Sequence, residues 1–375
     1  MKRTGIAELP LHYGRASPWL VLRMRKLANK IVTVVIDEYG QDELLRRLSN
    51  PFWFQALGCV LGYDWHSSGL TTVVTWVLKC AIKLGEHGLA VAGGKGKRSL
   101  KTPEEIEKIG AIFGFSQEQT SSLRYASRMS AKVDNIAIQG GYPLYHHAFF
   151  VTENGKWATI QQGMSVEDRT ARRYHWLSDH IKSFVNEPHD AIVCDAIKEK
   201  VLNMTAKESE ACRKVSVDLV NDGPEKVKRD FLSLRPAHQK TLREWMEGEM
   251  KERAYAVHVL SMPRNINWDA LKKVYEYHPK NYEELLSVRG VGPATVRGLA
   301  LVSEVIYGEP PSWKDPVKYS FAYGGKDGVP RPVDRRAMDE SIQFLKDAID
   351  QAKLGNKEKV DALRRLRGIA PTTLF

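Results

Sequence analysis

The chain is poor in cysteine. Four occur in 375 residues, Cys59, Cys80, Cys194 and Cys212, and no two form a Cys-x-x-Cys pair. That spacing argues against a thiolate zinc site and against a disulfide framework, so four reduced and mostly buried thiols are expected. Long apolar runs are missing too. No stretch reaches the roughly 18–20 residues of a membrane span, and the most apolar run, Leu70 to Leu84, is broken by Lys79 and Lys83. Met1-Lys2-Arg3-Thr4-Gly5 is not followed by an apolar core of signal-peptide length. A cytoplasmic protein with no membrane partner is the expectation. Gly93-Gly94-Lys95-Gly96-Lys97-Arg98 is rich in glycine and cations, but it lacks the spacing of a nucleotide-binding P-loop. No ATPase is expected, and no internal repeat recurs at a fixed period.

What is present is ordinary globular material. Hydrophobic residues make up 43% and charged residues 27% of the chain, enough for a sizeable core. The length favours two domains. The formal net charge of +11 favours anionic partners, with nucleic acid ahead of an acidic membrane.

Helical spacing runs from Pro18 to Glu38, Gln41 to Ser49 and Leu70 to Leu84, and Phe52-Trp53-Phe54 should anchor a core. Leu89 to Ala92 reads as a short strand. Thr102-Pro103-Glu104-Glu105 has the features of a helix start, with Thr as cap, and that helix should end near Gly114. A second helical stretch covers Ser116 to about Gln139. Tyr145 to Thr152 and Trp157 to Gln162 then form a β-hairpin around Asn154-Gly155. The chain turns helical again beyond Pro188. Later helices are expected near His238 to Glu252, Trp268 to Tyr277, Asn281 to Val288, Pro293 to Tyr307 and Arg336 to Lys353, with a long Gly/Pro/Lys-rich loop from Pro310 to Pro332. The predicted fold is α+β and predominantly helical. An N-terminal domain with a small sheet (residues 1–230) precedes an all-helical C-terminal domain (residues 231–375).

The most specific motif is Leu286-Ser287-Val288-Arg289-Gly290-Val291-Gly292-Pro293-Ala294-Thr295. Gly290 and Gly292 relieve the steric penalty of positive φ in a tight turn. Pro293 suits the first turn of the next helix. A helix N-terminus preceded by glycines exposes free amides to a phosphate oxygen. Arg289, Gly290, Val291, Gly292, Ala294, Thr295 and Arg297 are therefore the candidate nucleic-acid contacts here, with Lys95, Lys97 and Lys326 as further cations on glycine-rich loops. Such contacts hold the backbone without reading sequence. The bland alternative is a structural helical hairpin.

This stretch resembles the helix–hairpin–helix element of DNA-repair and DNA-processing proteins, which implies duplex or branched DNA as partner. The DNA glycosylases of that group carry an Asp one helix further on, and Asp334 in Val333-Asp334-Arg335 is the matching candidate. The Pro310–Pro332 loop interrupts the spacing, the hairpin lysine of bifunctional members is not evident, and Asp334 also fits a helix cap. Several strings, Leu9-Pro10-Leu11-His12, Asp64-Trp65-His66-Ser67-Ser68-Gly69, Gln161-Gln162-Gly163-Met164 and Gly324-Gly325-Lys326-Asp327-Gly328, together resemble an archaeal and bacterial family known as domain of unknown function 763. That resemblance implies two domains working as a unit and assigns no catalytic residues.

Residues 134–189 are dense in groups that do chemistry, including His146, His147, His175, His180 and His189 among eleven histidines. A divalent-metal nuclease needs carboxylates or imidazoles to hold the cation that polarises phosphate and activates water. Asp134, His147, His175 and Glu187 are the candidate ligands for magnesium or manganese. Asp134, His147, Gln161, Gln162 and His66 are the candidate catalytic residues, with Arg172, Arg173 and Lys97 available to developing negative charge. A histidine acting as general base without metal is the alternative. His146 and His147 are adjacent on a strand and so face opposite ways. The leading expectation is DNA repair or processing by a metal-dependent nuclease. A glycosylase or lyase using Asp334 and a non-enzymatic structure-specific binder are kept beside it, and a second copy of the chain is kept as a candidate partner.

Overall fold

A computed structural model of the protein describes residues 17–63, 68–194, 196–234, 263, 265–317, 343, 345–347, 349–350 and 356–367. His66, Lys326 and Asp334 lie outside these residues, as do the helix expected at His238 to Glu252 and most of the Pro310–Pro332 loop.

The architecture is α+β and predominantly helical. Four helices come first: α1 (Pro18–Tyr39), α2 (Gln41–Ser49), α3 (Pro51–Val60) and α4 (Gly69–Ala81). Asn50 starts α3 by accepting the amides of Phe52 and Trp53 at 2.9 and 3.1 Å, and Pro51 sits where no amide is needed. Phe52, Trp53 and Phe54 are all buried, as their clustering predicts. After the short α5 (Leu84–His87), β1 (Leu89–Lys95) enters a five-stranded antiparallel sheet. Its order is β1, then β3 (Leu144–Thr152), β4 (Trp157–Ser165), β5 (Thr170–Leu177) and β6 (Ala191–Val193). The Asn-Gly turn joins β3 to β4 as expected, with Gly155 at φ +84°. β5 and β6 extend the sheet beyond the reach of that turn signal.

Helices α6 (Thr102–Phe113) and α7 (Gln117–Lys132) connect β1 to β3. Thr102 is the first residue of α6 and not its cap. Lys101 holds the cap position, and the Thr102 hydroxyl donates to Ser99 O at 2.7 Å. Ser116 and Gln119 form a reciprocal capping box at the start of α7. Helical backbone runs from Gln117 to Ala137, close to the expected limit, but its last turn changes character. It ends in a π-helical turn, Val133–Ala137, and β2 (Ile138–Gln139) then pairs with β7 (Leu202–Asn203). Such turns occur often at functional sites, and this one carries Asp134.

The sheet is buried on both faces. Val91, Ala148, Phe150, Ala158, Ile160 and Leu177 pack against α1–α4. The alternate residues, among them Ala92, Phe149, Trp157, Tyr174 and Trp176, join the core on the other side. That second core continues through α8 (Glu210–Asn221), α9 (Pro224–Ser233), α10 (Trp268–Tyr277), α11 (Tyr282–Ser287) and α12 (Pro293–Tyr307). Hydrophobic packing is therefore continuous from β1 to Val317, across the expected boundary near residue 230. A last helix, α13 (Asn356–Arg367), lies against α3. No helix among the described residues is long and apolar enough to cross a membrane.

Candidate nucleic-acid interface and the buried network behind it

Three expected catalytic residues, Asp134, His147 and Gln161, do come together. They form part of a buried chain of hydrogen bonds on the sheet face covered by α7 and the C-terminal helices. His147 and Gln161 are cross-strand partners on β3 and β4. The His147 Nδ1–H donates to Gln161 Oε1 at 2.7 Å, which leaves His147 Nε2 to accept from the Ser127 hydroxyl at 2.8 Å. Gln161 Nε2 donates to Asp134 Oδ2 at 2.6 Å. Trp176 Nε1 donates to the same oxygen at 3.0 Å, and His189 Nε2 donates to Asp134 Oδ1 at 2.5 Å.

Every donor in this chain points towards Asp134, which suits a carboxylate. Burial nonetheless raises the Asp134 pKa, against the opposing pull of His189, Trp176 and Gln161. Burial also drives His147 down to about 4, so its imidazole is neutral at physiological pH. Asp134 and Gln161 are wholly buried and His147 is 5% exposed. A phosphodiester does not reach this carboxylate in the described conformation. Ser127, Trp176 and His189 complete the network. His189 falls in the histidine-rich stretch, but nothing in the sequence singles out Ser127 or Trp176.

The remaining expected ligands are elsewhere. His175 lies on the opposite sheet face from His147, where Arg173 Nε donates to its Nε2 at 2.9 Å and its Nδ1 meets Leu48 O at 3.0 Å. Strand alternation makes this separation unavoidable, because Ile160 pairs with His175 and Gln161 pairs with Tyr174. Glu187 is exposed, at φ +45°, and its amide donates to Thr205 O. Gln162 also faces α4, with its Nε2 donating to Ser68 O at 2.8 Å and Tyr145 Oη at 2.5 Å. The four expected metal ligands are thus not assembled. Among the described residues no group of three His, Cys, Asp or Glu side chains could hold a metal ion.

The glycine turn has the opposite character. Asn281 caps α11 by accepting the Glu284 amide at 2.9 Å, and Tyr125 of α7 donates to Glu283 at 2.7 Å. Residues 288–292 then turn the chain into α12, whose first residue is Pro293. Only Gly290 needs positive φ, at +100°; Gly292 is at −129°. A Cβ on Gly290 would lie 2.9 Å from Ala270 Cβ, so sterics as well as φ require glycine here.

Four carbonyls of this turn are engaged, whereas those of Arg289 and Val291 have no partner among the described residues. Val288 O accepts from Lys132 Nζ at 2.6 Å and Pro293 O from Gln139 Nε2 at 2.9 Å. Gly290 O accepts from Asn267 at 3.5 Å, and Gly292 O from the Val296 amide at 3.1 Å. The amides of Gly290, Gly292, Ala294 and Thr295 have no acceptor among the described residues. Arg289 and Gly290 are exposed and Gly292 and Ala294 are half-buried, whereas Val291 packs into the core. The turn thus leaves the amides of Gly290, Gly292 and Ala294 unspent, with the carbonyls of Val288, Gly290, Gly292 and Pro293 engaged.

Two expected contacts change role. Thr295 is 1% exposed, so its hydroxyl is not presented outwards. Arg297 lays its guanidinium over the Trp313 ring, 5.4 Å from the centroid, and is half-buried. Lys95 and Lys97 are exposed, on the edge strand and the 3-10 turn that follows it. Lys132, which the motif does not include, is held beneath the turn with its pKa lowered to about 8 by burial and by Arg128.

Fold and site define a predominantly helical α+β protein that carries an exposed, amide-rich glycine turn over a closed polar core. The chain belongs to the family described as "Protein of unknown function (DUF763)", whose model matches residues 5–333. No curated protein and no solved structure matches it.

Proposed function

We propose that this protein binds the sugar–phosphate backbone of nucleic acid, double-stranded DNA in the first instance, through the turn at residues 288–295. The observation that carries the reading is the set of unspent amides at that turn. The amides of Gly290, Gly292 and Ala294 are unspent, four neighbouring carbonyls are occupied by Lys132, Gln139, Asn267 and Val296, and Arg289 stands exposed beside them. Carbonyl oxygens would repel a phosphate, and four of those at the turn are engaged inside the protein, beside free donors at a helix N-terminus. The net charge of +11 adds a favourable long-range field. No base edge is read by such contacts, so the binding is expected to be insensitive to sequence.

The test is fluorescence anisotropy of a labelled duplex of mixed sequence, titrated with the full chain at several salt concentrations. Dissociation constants of roughly 10⁻⁴–10⁻⁶ M near physiological salt, weakening as salt rises, are expected for this mode. Binding that ignores salt, or that survives unchanged in Arg289→Gln, would overturn it. The same samples with magnesium, manganese or EDTA report strand cleavage. Cleavage lost in Asp134→Asn would return the buried carboxylate to an active role.

A further inference from the structure

The 3-10 turn Gly96–Lys101 leaves the end of β1 and leads into α6. It carries Lys97, Arg98 and Lys101, all exposed, and Lys95 stands exposed just before it. No acidic residue lies between Gly93 and Pro103. Of the two acids that open α6, Glu104 is exposed, and Glu105 is spent on Lys79 Nζ at 2.5 Å and on the Gly93 amide at 2.8 Å. Among the described residues no ion pair takes up Lys95, Lys97, Arg98 or Lys101. Four neighbouring cations without a carboxylate repel one another, and a polyanion relieves that repulsion.

Leu100 stands among these cations. It is 79% exposed, more than any other large hydrophobic side chain among the described residues. A single exposed leucine is ordinary on a protein surface, but this one is held out by a braced turn. The Ser99 hydroxyl donates to Gly96 O and the buried Thr102 hydroxyl to Ser99 O, both at 2.7 Å. Behind them Lys79 Nζ donates to Gly93 O at 2.8 Å. A turn already fixed in place presents its side chain with little further loss of conformational entropy.

The position of this turn selects the polyanion. β1 ends at Lys95, which pairs with His146 near the start of β3. The stretch 132–144 reaches the same end of the sheet, where Asn135 Oδ1 accepts the Leu144 amide at 3.1 Å. From that stretch Lys132 and Gln139 donate to Val288 O and Pro293 O. The basic turn and the amide-rich turn therefore border one end of the sheet, on the side where α6 and α7 join the core.

We propose that the turn at residues 96–101 is a second contact to the duplex held at residues 288–295, with Leu100 as a wedge between base pairs. Lys97, Arg98 and Lys101 hold the phosphates on either side of the wedge. Apolar side chains flanked by cations enter the minor groove in this way, partly unstack one base step and bend the duplex. Unstacking is least costly where pairing is already broken, so the protein favours a mismatched duplex over a fully paired one. The assignment rests on the proposed backbone binding, and its test separates the two.

Affinity for paired and singly mismatched duplexes is measured against salt for the full chain, with 2-aminopurine in the duplex to report unstacking. The variants are Leu100→Ala, the double variant Lys97→Gln with Lys101→Gln, and Arg289→Gln. All four positions are exposed, and circular dichroism controls for folding. The double lysine variant is expected to bind several-fold more weakly, with the slope of log K against log salt reduced by about two, the loss of two phosphate contacts. Leu100→Ala is expected to keep the slope and to lose both the 2-aminopurine rise and the several-fold preference for the mismatch. Wild-type behaviour in both, with Arg289→Gln impaired, would overturn the wedge and leave the hairpin reading intact. The reverse pattern overturns the hairpin reading and keeps the turn at 96–101 as a contact. Loss of binding to vesicles of anionic phospholipid in these variants, with duplex binding unchanged, assigns the turn to a lipid surface and overturns the proposal. A wild type that binds no duplex overturns both readings.

Discussion

The Asp134 network and the turn at residues 288–295 lie on the same side of the central sheet, and both are built from groups suited to phosphate chemistry. They differ in what is left over. In the network, the three donors that converge on Asp134 are matched inside the protein by its two carboxylate oxygens, and the imidazole of His147 is locked between Ser127 and Gln161. At the turn, the amides of Gly290, Gly292 and Ala294 have no acceptor, while four of the carbonyls are engaged. Residue type alone does not separate structural chemistry from functional chemistry; accessible unspent hydrogen-bonding capacity does.

The sharpest way to break this comparison is to remove Asp134. Asp134→Ala leaves His189, Gln161 and Trp176 without their acceptor, and a stability loss of about 3–5 kcal/mol is expected from urea denaturation. Duplex affinity of the folded fraction should not change. A stable Asp134→Ala protein that has lost binding or cleavage would put the active role back on the network.

Acid should act on the same core. His146 and His147 have pKa values lowered from 6.5 to about 3 and about 4, and His175 is held well below its ordinary value, all chiefly by burial. Each stays neutral in the folded protein while the unfolded chain takes up protons as pH falls below about 6.5. Stability is therefore present above that pH and is lost on the way down towards the folded values. Between pH 6.5 and 5.5 the three histidines together should cost about 3 kcal/mol. The raised pKa of Asp134 works in the opposite direction, because protonation of its carboxyl favours the folded state. Denaturation midpoints across this range measure the net effect, and a flat profile would mean that these histidines are solvated.

At the turn the expected effects are smaller and fall on different observables. Gly290→Ala forces a Cβ to 2.9 Å from Ala270 at φ +100°, and a loss of about 1–2 kcal/mol in stability is expected, with weaker duplex binding. Arg289→Gln should leave stability within about 0.5 kcal/mol of wild type, as exposed substitutions usually do. It should lower duplex affinity and the salt slope by about one contact. A melting shift without a binding change in Arg289→Gln would mean that the turn is purely structural.

Much of the turn is legible locally. Asn281 before an acidic first turn, a glycine where φ must be positive and a proline at the first position of α12 each act within a few residues. The same holds for the Asn154-Gly155 hairpin and for the helices at 41–49, 268–277 and 293–307. The π-helical end of the stretch from Ser116 is not legible, and neither is the pairing of Ile138 and Gln139 with Leu202 and Asn203, far along the chain. The expected metal set separates in the fold. Its members are counted together along the sequence, but strand alternation sends His147 and His175 to opposite faces.

The sequence by itself determined the elements whose signals are short in range: helix starts, the β-hairpin, the glycine turn and the overall basic charge. It also marked Asp134, His147 and Gln161 as candidates, together with Gln162 and His175, which the fold places on the other sheet face. Only the tertiary structure decided that the Asp134 site is closed and that Lys132 and Gln139 engage the carbonyls of Val288 and Pro293 at the turn. Those outcomes depend on which groups long-range packing brings within hydrogen-bond distance. Lys132 and Val288 are 156 residues apart, and Arg172 and Asp315 are 143 apart. No local propensity encodes a pairing over that separation; it is fixed when the helices close over the sheet and each buried polar group has to find a partner or go without.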